Sequence, residues 1–173
     1  MATRTITKRK KTFRENAPPL VEALFDDFIA GRDVLLEHPR KIDALHRMRI
    51  AGKPLRYVME VCAPLYGRIF RELLEEVKLL LEELGDVHDC DVLLQKLREH
   101  LLQIRMLNRI VDRKAEQLPL KEIRAALSRV RSDRTHNYTR ACVRLRRWKR
   151  TGLRGRLVRS MSLPARRTAT TIR

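Results

Sequence analysis

Between Phe70 and Leu84 seven apolar residues (Phe70, Leu73, Leu74, Val77, Leu80, Leu81 and Leu84) recur at intervals of three and four. That spacing places them on one side of an α-helix. No Gly or Pro interrupts residues 68–84, so nothing in the backbone opposes a long helix there. No segment of the chain alternates with the two-residue period of a strand. With only six Gly, seven Pro and 5% aromatic residues in 173, an all-β sandwich is excluded, because it needs frequent turns and β-rich strands. The 43% of hydrophobic residues suffices for one core. The expected fold class is therefore all-α, an antiparallel helical bundle of about five helices. The segments are predicted as Pro18–Pro19 to His38–Pro39 with Gly31 as a weak point, Ile42–Cys62, Ile69–Leu101, 103–118 and 120–150. Pro54 inside the second of these removes a backbone donor and is expected to kink it.

The net charge of +18 is unevenly placed. Residues 1–14 hold six basic groups and no acid, and 121–173 hold seventeen against Glu122 and Asp133. Residues 15–120 hold sixteen against nineteen, so the body of the chain is slightly acidic. Residues 1–15 are read as a basic, disordered arm, 16–150 as the helical domain and 151–173 as a basic, frayed tail. No stretch approaches the roughly 18 apolar residues of a membrane span, and residues 1–14 lack the apolar stretch of a secretory leader. Cys62, Cys90 and Cys142 are odd in number and far apart, which fits neither a disulfide framework nor a zinc site. A cytoplasmic protein with no membrane partner is expected.

The segment 42–62 carries the chemistry. On a helical projection His46, Arg49, Lys53, Arg56, Tyr57 and Glu60 fall within about 100° of one another. Ala44, Met48, Ala51, Leu55, Met59 and Cys62 lie opposite. His46 to Arg56 spans about 15 Å of helix. A row of cations with that reach suits an extended anion better than a single phosphate. A solvated charged face is the plainer alternative, but Glu60 is the stripe's only acid, so pairing within the helix cannot neutralise it.

The run Leu84-Gly85-Asp86-Val87-His88-Asp89-Cys90-Asp91-Val92 lies on the next helix. Gly85 in a helix interior costs about 1 kcal/mol relative to Ala, which a close helix crossing would explain. If the chain reverses near Tyr66–Gly67, His46 and His88 stand at nearly the same height of an antiparallel hairpin. Asp86 and Asp89 would then hold Arg49 or fix a histidine tautomer, with Glu60 in a similar supporting role. The same four groups, His46, His88, Asp86 and Asp89, could instead bind a divalent metal, although Arg49 and Lys53 would repel it. No nucleophile is placed against a base, and no Gly-rich phosphate loop or H-E-x-x-H appears, so catalysis is not expected and no cofactor is called for. On the last helix Arg129, His136, Arg140 and Arg147 share a face with Arg144 beside it, either a second wall for an anion or a solvated flank.

The run His46-Arg47-Met48-Arg49-Ile50-Ala51-Gly52-Lys53-Pro54-Leu55-Arg56-Tyr57-Val58-Met59-Glu60, followed by Leu84–Val92, resembles the signature of the CHAD family, the conserved histidine α-helical domain. The resemblance covers roughly residues 16–150, with its strong matches between 42 and 97. It implies an all-α fold that binds inorganic polyphosphate along a basic groove. His46, Arg49, Lys53, Arg56 and His88, with Tyr57 alongside, match the binding positions, and Asp89 matches an acidic one. An older suggestion for the family, metal chelation or phospho-acceptor histidines, falls on His46 and His88. Larger members resemble two copies of this unit around a channel, whereas this sequence holds no second H-x-x-R-x-x-x-K-x-L-R-Y run.

The expected function is non-enzymatic binding of inorganic polyphosphate, or of phosphate and sulfate anions, with Arg140 and Arg147 contributing from the last helix. The alternatives are a nucleic-acid-binding protein working through its basic ends, and the divalent-metal domain described above.

Overall fold

The computed structural model describes residues 12–38, 41–111 and 116–162. Among them are six α-helices, one short 3₁₀ turn and no strand. The helices are α1 (Phe13–Ile29), α2 (Arg32–Glu37), α3 (Ile42–Cys62), α4 (Arg68–Ile110), α5 (Lys121–Thr151) and α6 (Leu153–Ser162). The all-α antiparallel bundle expected from the sequence is the fold found. Residues 1–11 and 163–173, the greater part of the expected arm and half of the expected tail, lie outside the described residues.

α1 begins five residues before the predicted Pro18–Pro19 start. Thr12 caps it: its hydroxyl accepts from the Glu15 N–H at 3.4 Å, and the Glu15 carboxylate accepts from the Thr12 N–H at 2.8 Å. This reciprocal box satisfies two end donors at once. Both prolines therefore sit inside the helix. Pro18 has no N–H for the Arg14 carbonyl four residues earlier. The Tyr66 hydroxyl, on a residue only 1% exposed, donates to that carbonyl at 3.1 Å. A donor from the α3–α4 turn thus replaces the one that proline lacks.

α3 occupies the predicted span and runs helical through Pro54, whose ring is exposed. Its Ala44, Met48, Leu55, Met59 and Cys62 are buried as expected, while Ala51 is only half-buried. The reversal falls at residues 63–67, through the turn Ala63–Leu65 and Gly67. The break predicted between helices over 69–101 and 103–118 is absent. α4 runs on from Arg68 to Ile110, 43 residues, about 64 Å long, and ends eight residues short of the predicted 118. No Gly or Pro stands near 102 to break it.

α4 lies between α3 on one flank and α5 on the other, and α1 packs against α3. The core gathers Phe25 and Phe28 of α1 around Trp148 of α5, with ring centroids 6.3 and 6.2 Å apart. Leu80, Leu84 and Val87 of α4 belong to the same cluster. Beyond Val87 the buried Leu94, Ile104 and Leu127 lie outside it, where the far half of α4 runs on beside α5.

The tail expected to fray from Thr151 does not do so over 153–162. Gly152, in the left-handed conformation (φ 58°), ends α5 and lets α6 fold back. Leu153, Leu157 and Met161 enter the core. Arg154 clasps Asp26 of α1 through two bonds of 2.6 and 2.7 Å. Four- and eight-residue spacing of those apolar groups is an amphipathic helix signal, obscured in the sequence by three surrounding arginines.

Candidate functional site

α3 and α4 diverge on their solvent side to leave an open groove of about 590 Å³. Arg49, Lys53, Arg56 and Tyr57 form the α3 wall. They stand there because the helix commits its other side to the core, bringing the polar positions of the stripe to one edge. Arg49 and Lys53 are half-buried, whereas Arg56 and Tyr57 are exposed.

α3 comes into close contact with α1 and α4 at Gly52. A Cβ on Gly52 would lie 2.5 Å from Leu81 Cδ2 and 2.6 Å from Phe28 Cε2, so α1, α3 and α4 converge on a position only glycine can hold. Gly85, the expected crossing point, plays another part. Its nearest neighbour would be Arg49 Nε at 3.7 Å, so it gives the Arg49 side chain room to lie across α4.

His46 and His88 meet as the hairpin count predicts, with ring centroids 5.4 Å apart and planes tilted by 38°. His46 is exposed, and His88 Nδ1 is buried without a hydrogen-bond partner among the described residues. The contacts Gly52–Leu81, Arg49–Gly85 and His46–His88 fix one antiparallel register for α3 and α4.

Glu60 pairs with Arg56 on its own helix and lies near Lys78 of α4. It accepts from Arg56 Nε at 2.9 Å and stands 3.7 Å from Lys78 Nζ, which also pairs with Glu75 at 2.9 Å. The Arg56 guanidinium holds the Glu60 carboxyl below its usual range. Asp86 and Asp89 depart from expectation. Both line the groove, yet neither bonds Arg49 or either imidazole, so among the described residues they orient nothing. The four-residue metal set is likewise not assembled: no group of three His, Cys, Asp or Glu side chains converges among the described residues.

The second wall of the groove is α4, and it is acidic. Glu75, Glu82, Asp86 and Asp89 face the α3 cations, with Lys78 the one base among them. The hairpin count places Asp86 and Asp89 beside Arg49, but not Glu75 and Glu82. The spacing of Glu82, Asp86 and Asp89 marks one helix face, but only the packing decides that it faces α3. Arg140 and Arg147 do not complete this groove. They lie on the α5 flank of α4, where Arg140 is 3.5 Å from Glu83 and Arg147 is 2.7 Å from Glu76. Arg144 forks onto Glu83, 3% exposed, with two bonds of 2.9 Å, and reaches Glu76 at 3.1 Å. Trp148 Nε1 donates to Glu76 at 3.2 Å. Burial raises the affinity of the Glu76 carboxyl for a proton, but Trp148, Arg147 and Arg144 outweigh it and hold the group below its usual range. These α5 arginines clamp two helices together, and only Arg140 and Arg147 keep a half-exposed edge.

Among the described residues no helix is long and apolar enough to cross a membrane. Comparison with curated proteins and with solved structures returns no match to this chain. The family model for the CHAD domain matches residues 2–98, a span that takes in α1 to α3, the groove and both motifs, and leaves out α5 and α6. That match covers more than half of the sequence, and the chain belongs to the CHAD family.

Proposed function

We propose that this protein binds inorganic polyphosphate, or a closely similar linear phosphate polymer, on the α3 wall of the groove and does not act on it chemically. The CHAD family is associated with polyphosphate binding in general. The observation that carries the reading to particular residues is the state of Arg49 and Lys53. They stand one turn apart, line an open groove and have no ion-pair partner among the described residues. Two cations that line an open groove and form no ion pair among the described residues are available to the oxygens of an external anion. Arg49 can fork onto two oxygens of one phosphate, Lys53 meets the next as a point charge, and Arg56, steadied by Glu60, extends the row.

Binding of this kind releases counter-ions. Three cations on a single-stranded polyanion give a slope of about −2 for the logarithm of affinity against the logarithm of salt concentration. In Arg49→Ala/Lys53→Ala the slope should flatten to about −0.7, with a large loss of affinity. Calorimetric titration with size-fractionated polyphosphate at several salt concentrations reads both. Affinity and slope unchanged in the double variant would refute the assignment. A competition with RNA at matched phosphate concentration tests the nucleic-acid alternative: polyphosphate should displace RNA, and the reverse outcome transfers the main interaction to the basic ends.

A further inference from the structure

The α4–α5 hairpin outruns the bundle that carries it. The register set by His46–His88 and Arg49–Gly85 puts Ile42, the first residue of α3, level with Val92. The last eighteen residues of α4, 93–110, therefore extend about 27 Å beyond α3, with α5 as their neighbour. The apolar ridge of α4 does not stop where its cover stops. Leu102 stands eighteen residues, five turns, beyond Leu84 of the core and repeats its azimuth. Met106 and Ile110 follow at four-residue steps. Between Val92 and Leu102 the ridge is polar, with Gln95 bonded to Glu99 at 3.0 Å, so the bare apolar part lies at the outer end. Its exposure rises outwards: Leu102 is 57% exposed, Met106 69% and Ile110 79%. Leu107 is exposed beside them. Leu118, also exposed, is held to the end of α4 by Asn108, whose amide donates to the Leu118 carbonyl at 2.9 Å and accepts from the Leu118 N–H at 2.8 Å.

Large apolar side chains gathered at the end of a projecting hairpin mark an interaction surface, and the charge around them selects its partner. Arg98 and Arg105 stand one turn before and one turn after Leu102, and Arg109 one turn after Met106. All three are exposed and have no ion-pair partner among the described residues. Over the described part of residues 92–134 nine basic groups stand against four acidic ones. Such a surface opposes a second copy of itself: in an antiparallel pairing centred on the ridge, Arg98 would sit opposite the other copy's Arg105. The chain's own ends do not match it either, since residues 1–11 and 163–173 are basic and hold no acid. We propose that the outer end of this hairpin docks on an anionic lipid bilayer, with the ridge in the boundary between headgroups and acyl chains and the arginines among the lipid phosphates. A helix with an apolar face and Lys or Arg along its flank lies in that boundary, and each basic group near an anionic leaflet adds to the attraction. Arginine stems can run beside the ridge while their guanidinium heads stay at headgroup level. The expectation of no membrane partner rests on the absence of a spanning segment, and a helix lying in the interface needs none. This surface is separate from the groove. Arg49, level with Gly85, is about 25 Å from Leu102 along α4, well beyond a Debye length of about 8 Å.

The test is partitioning of the full chain into vesicles of phosphatidylcholine mixed with phosphatidylglycerol. A chain of net charge +18 adheres to any anionic surface, so the deciding comparison leaves the charge untouched. Leu102→Ser/Met106→Ser/Ile110→Ser alters exposed side chains only. It should lower partitioning by about tenfold or more, while its affinity for polyphosphate stays at the wild-type value. Arg49→Ala/Lys53→Ala should partition as the wild type does. Equal partitioning of the triple variant and the wild type overturns the proposal, because charge alone then accounts for the adhesion. A loss in Arg49→Ala/Lys53→Ala as large as in the triple variant also overturns it, since the groove would then hold the lipid phosphates. Met106→Trp gives a direct reading at the ridge. Trp148, the one native tryptophan, is already buried, so the added indole should supply a blue shift on mixing with vesicles, and no shift overturns the proposal. Sedimentation velocity without lipid tests the other occupant. The wild type should sediment as a monomer; a dimer that the triple variant dissolves would assign the ridge to a second copy and end the lipid reading.

Discussion

Gly52→Ala is a perturbation whose two physical effects have opposite signs. In an ordinary helix interior the change stabilises by about 1 kcal/mol, because alanine loses less backbone freedom on folding. Here the added methyl would stand 2.5 Å from Leu81 Cδ2, 2.6 Å from Phe28 Cε2 and 2.9 Å from Phe28 Cδ2. Comfortable carbon contacts begin near 3.5 Å. Leu81 can turn a methyl aside, but Phe28 is fully buried and braced edge-on against Trp148. The helices must separate instead, and overpacking of this severity costs about 3 kcal/mol, the upper end of the usual range. The balance is a loss of about 2 kcal/mol, or roughly 4–8 °C in Tm for a chain of this size. Thermal unfolding followed by circular dichroism reads it directly. Gly85→Ala supplies the control: its methyl meets Arg49 Nε at 3.7 Å, an ordinary contact, so propensity acts alone and Tm should rise. A Gly52→Ala protein as stable as the wild type, or more stable, would refute the account of how α3 is seated.

Two further perturbations probe other parts of the molecule. Leu157→Ala should cost about 2–5 kcal/mol in urea denaturation, because Leu157 is 1% exposed within the shared core; a cost below about 0.5 kcal/mol would return α6 to the status of a loose tail. Glu76, with a usual value of about 4.5 for the unfolded glutamate, titrates lower in the folded protein. Its contribution is therefore fully present above pH 4.5 and is lost as pH falls through the folded value. Melting temperatures measured from pH 6 to pH 3 should decline less steeply in Glu76→Gln than in the wild type, and parallel curves would contradict the clamp at Arg144, Arg147 and Trp148.

What could be read from the sequence was what local spacing controls. The bounds of α3, its buried side and its cationic edge follow from residues within a few turns of one another, and they stand as expected. The meeting of His46 and His88 needed only a count of residues on either side of a reversal marked by Pro64 and Gly67. The Thr12–Glu15 box and the Leu153–Leu157–Met161 stripe were also local signals, but Pro18–Pro19 and the arginine-rich text around α6 pointed elsewhere. The same residue count brought Asp86 and Asp89 near Arg49, but the extent of the acidic wall was beyond it. Whether Glu75 and Glu82 face α3, α5 or open solvent depends on how three helices rotate about their axes, and that rotation is set by Gly52, Leu81 and Phe28 from different elements. The same limit explains Arg140 and Arg147, whose partners Glu76 and Glu83 lie more than fifty residues away.

The position at which the family match stops has a consequence for autonomy. Residue 98 falls inside α4, where the backbone offers no seam. The matched span supplies the groove but cannot close its own interior. Phe25 and Phe28 are sealed by Trp148 of α5, and α6 adds Leu153, Leu157 and Met161 over the same cluster. A chain cut at 98 would present those rings to water and would have lost the partners of Glu76 and Glu83. The portion that carries the family's pattern is thus a dependent one, kept folded by helices to which that pattern does not extend.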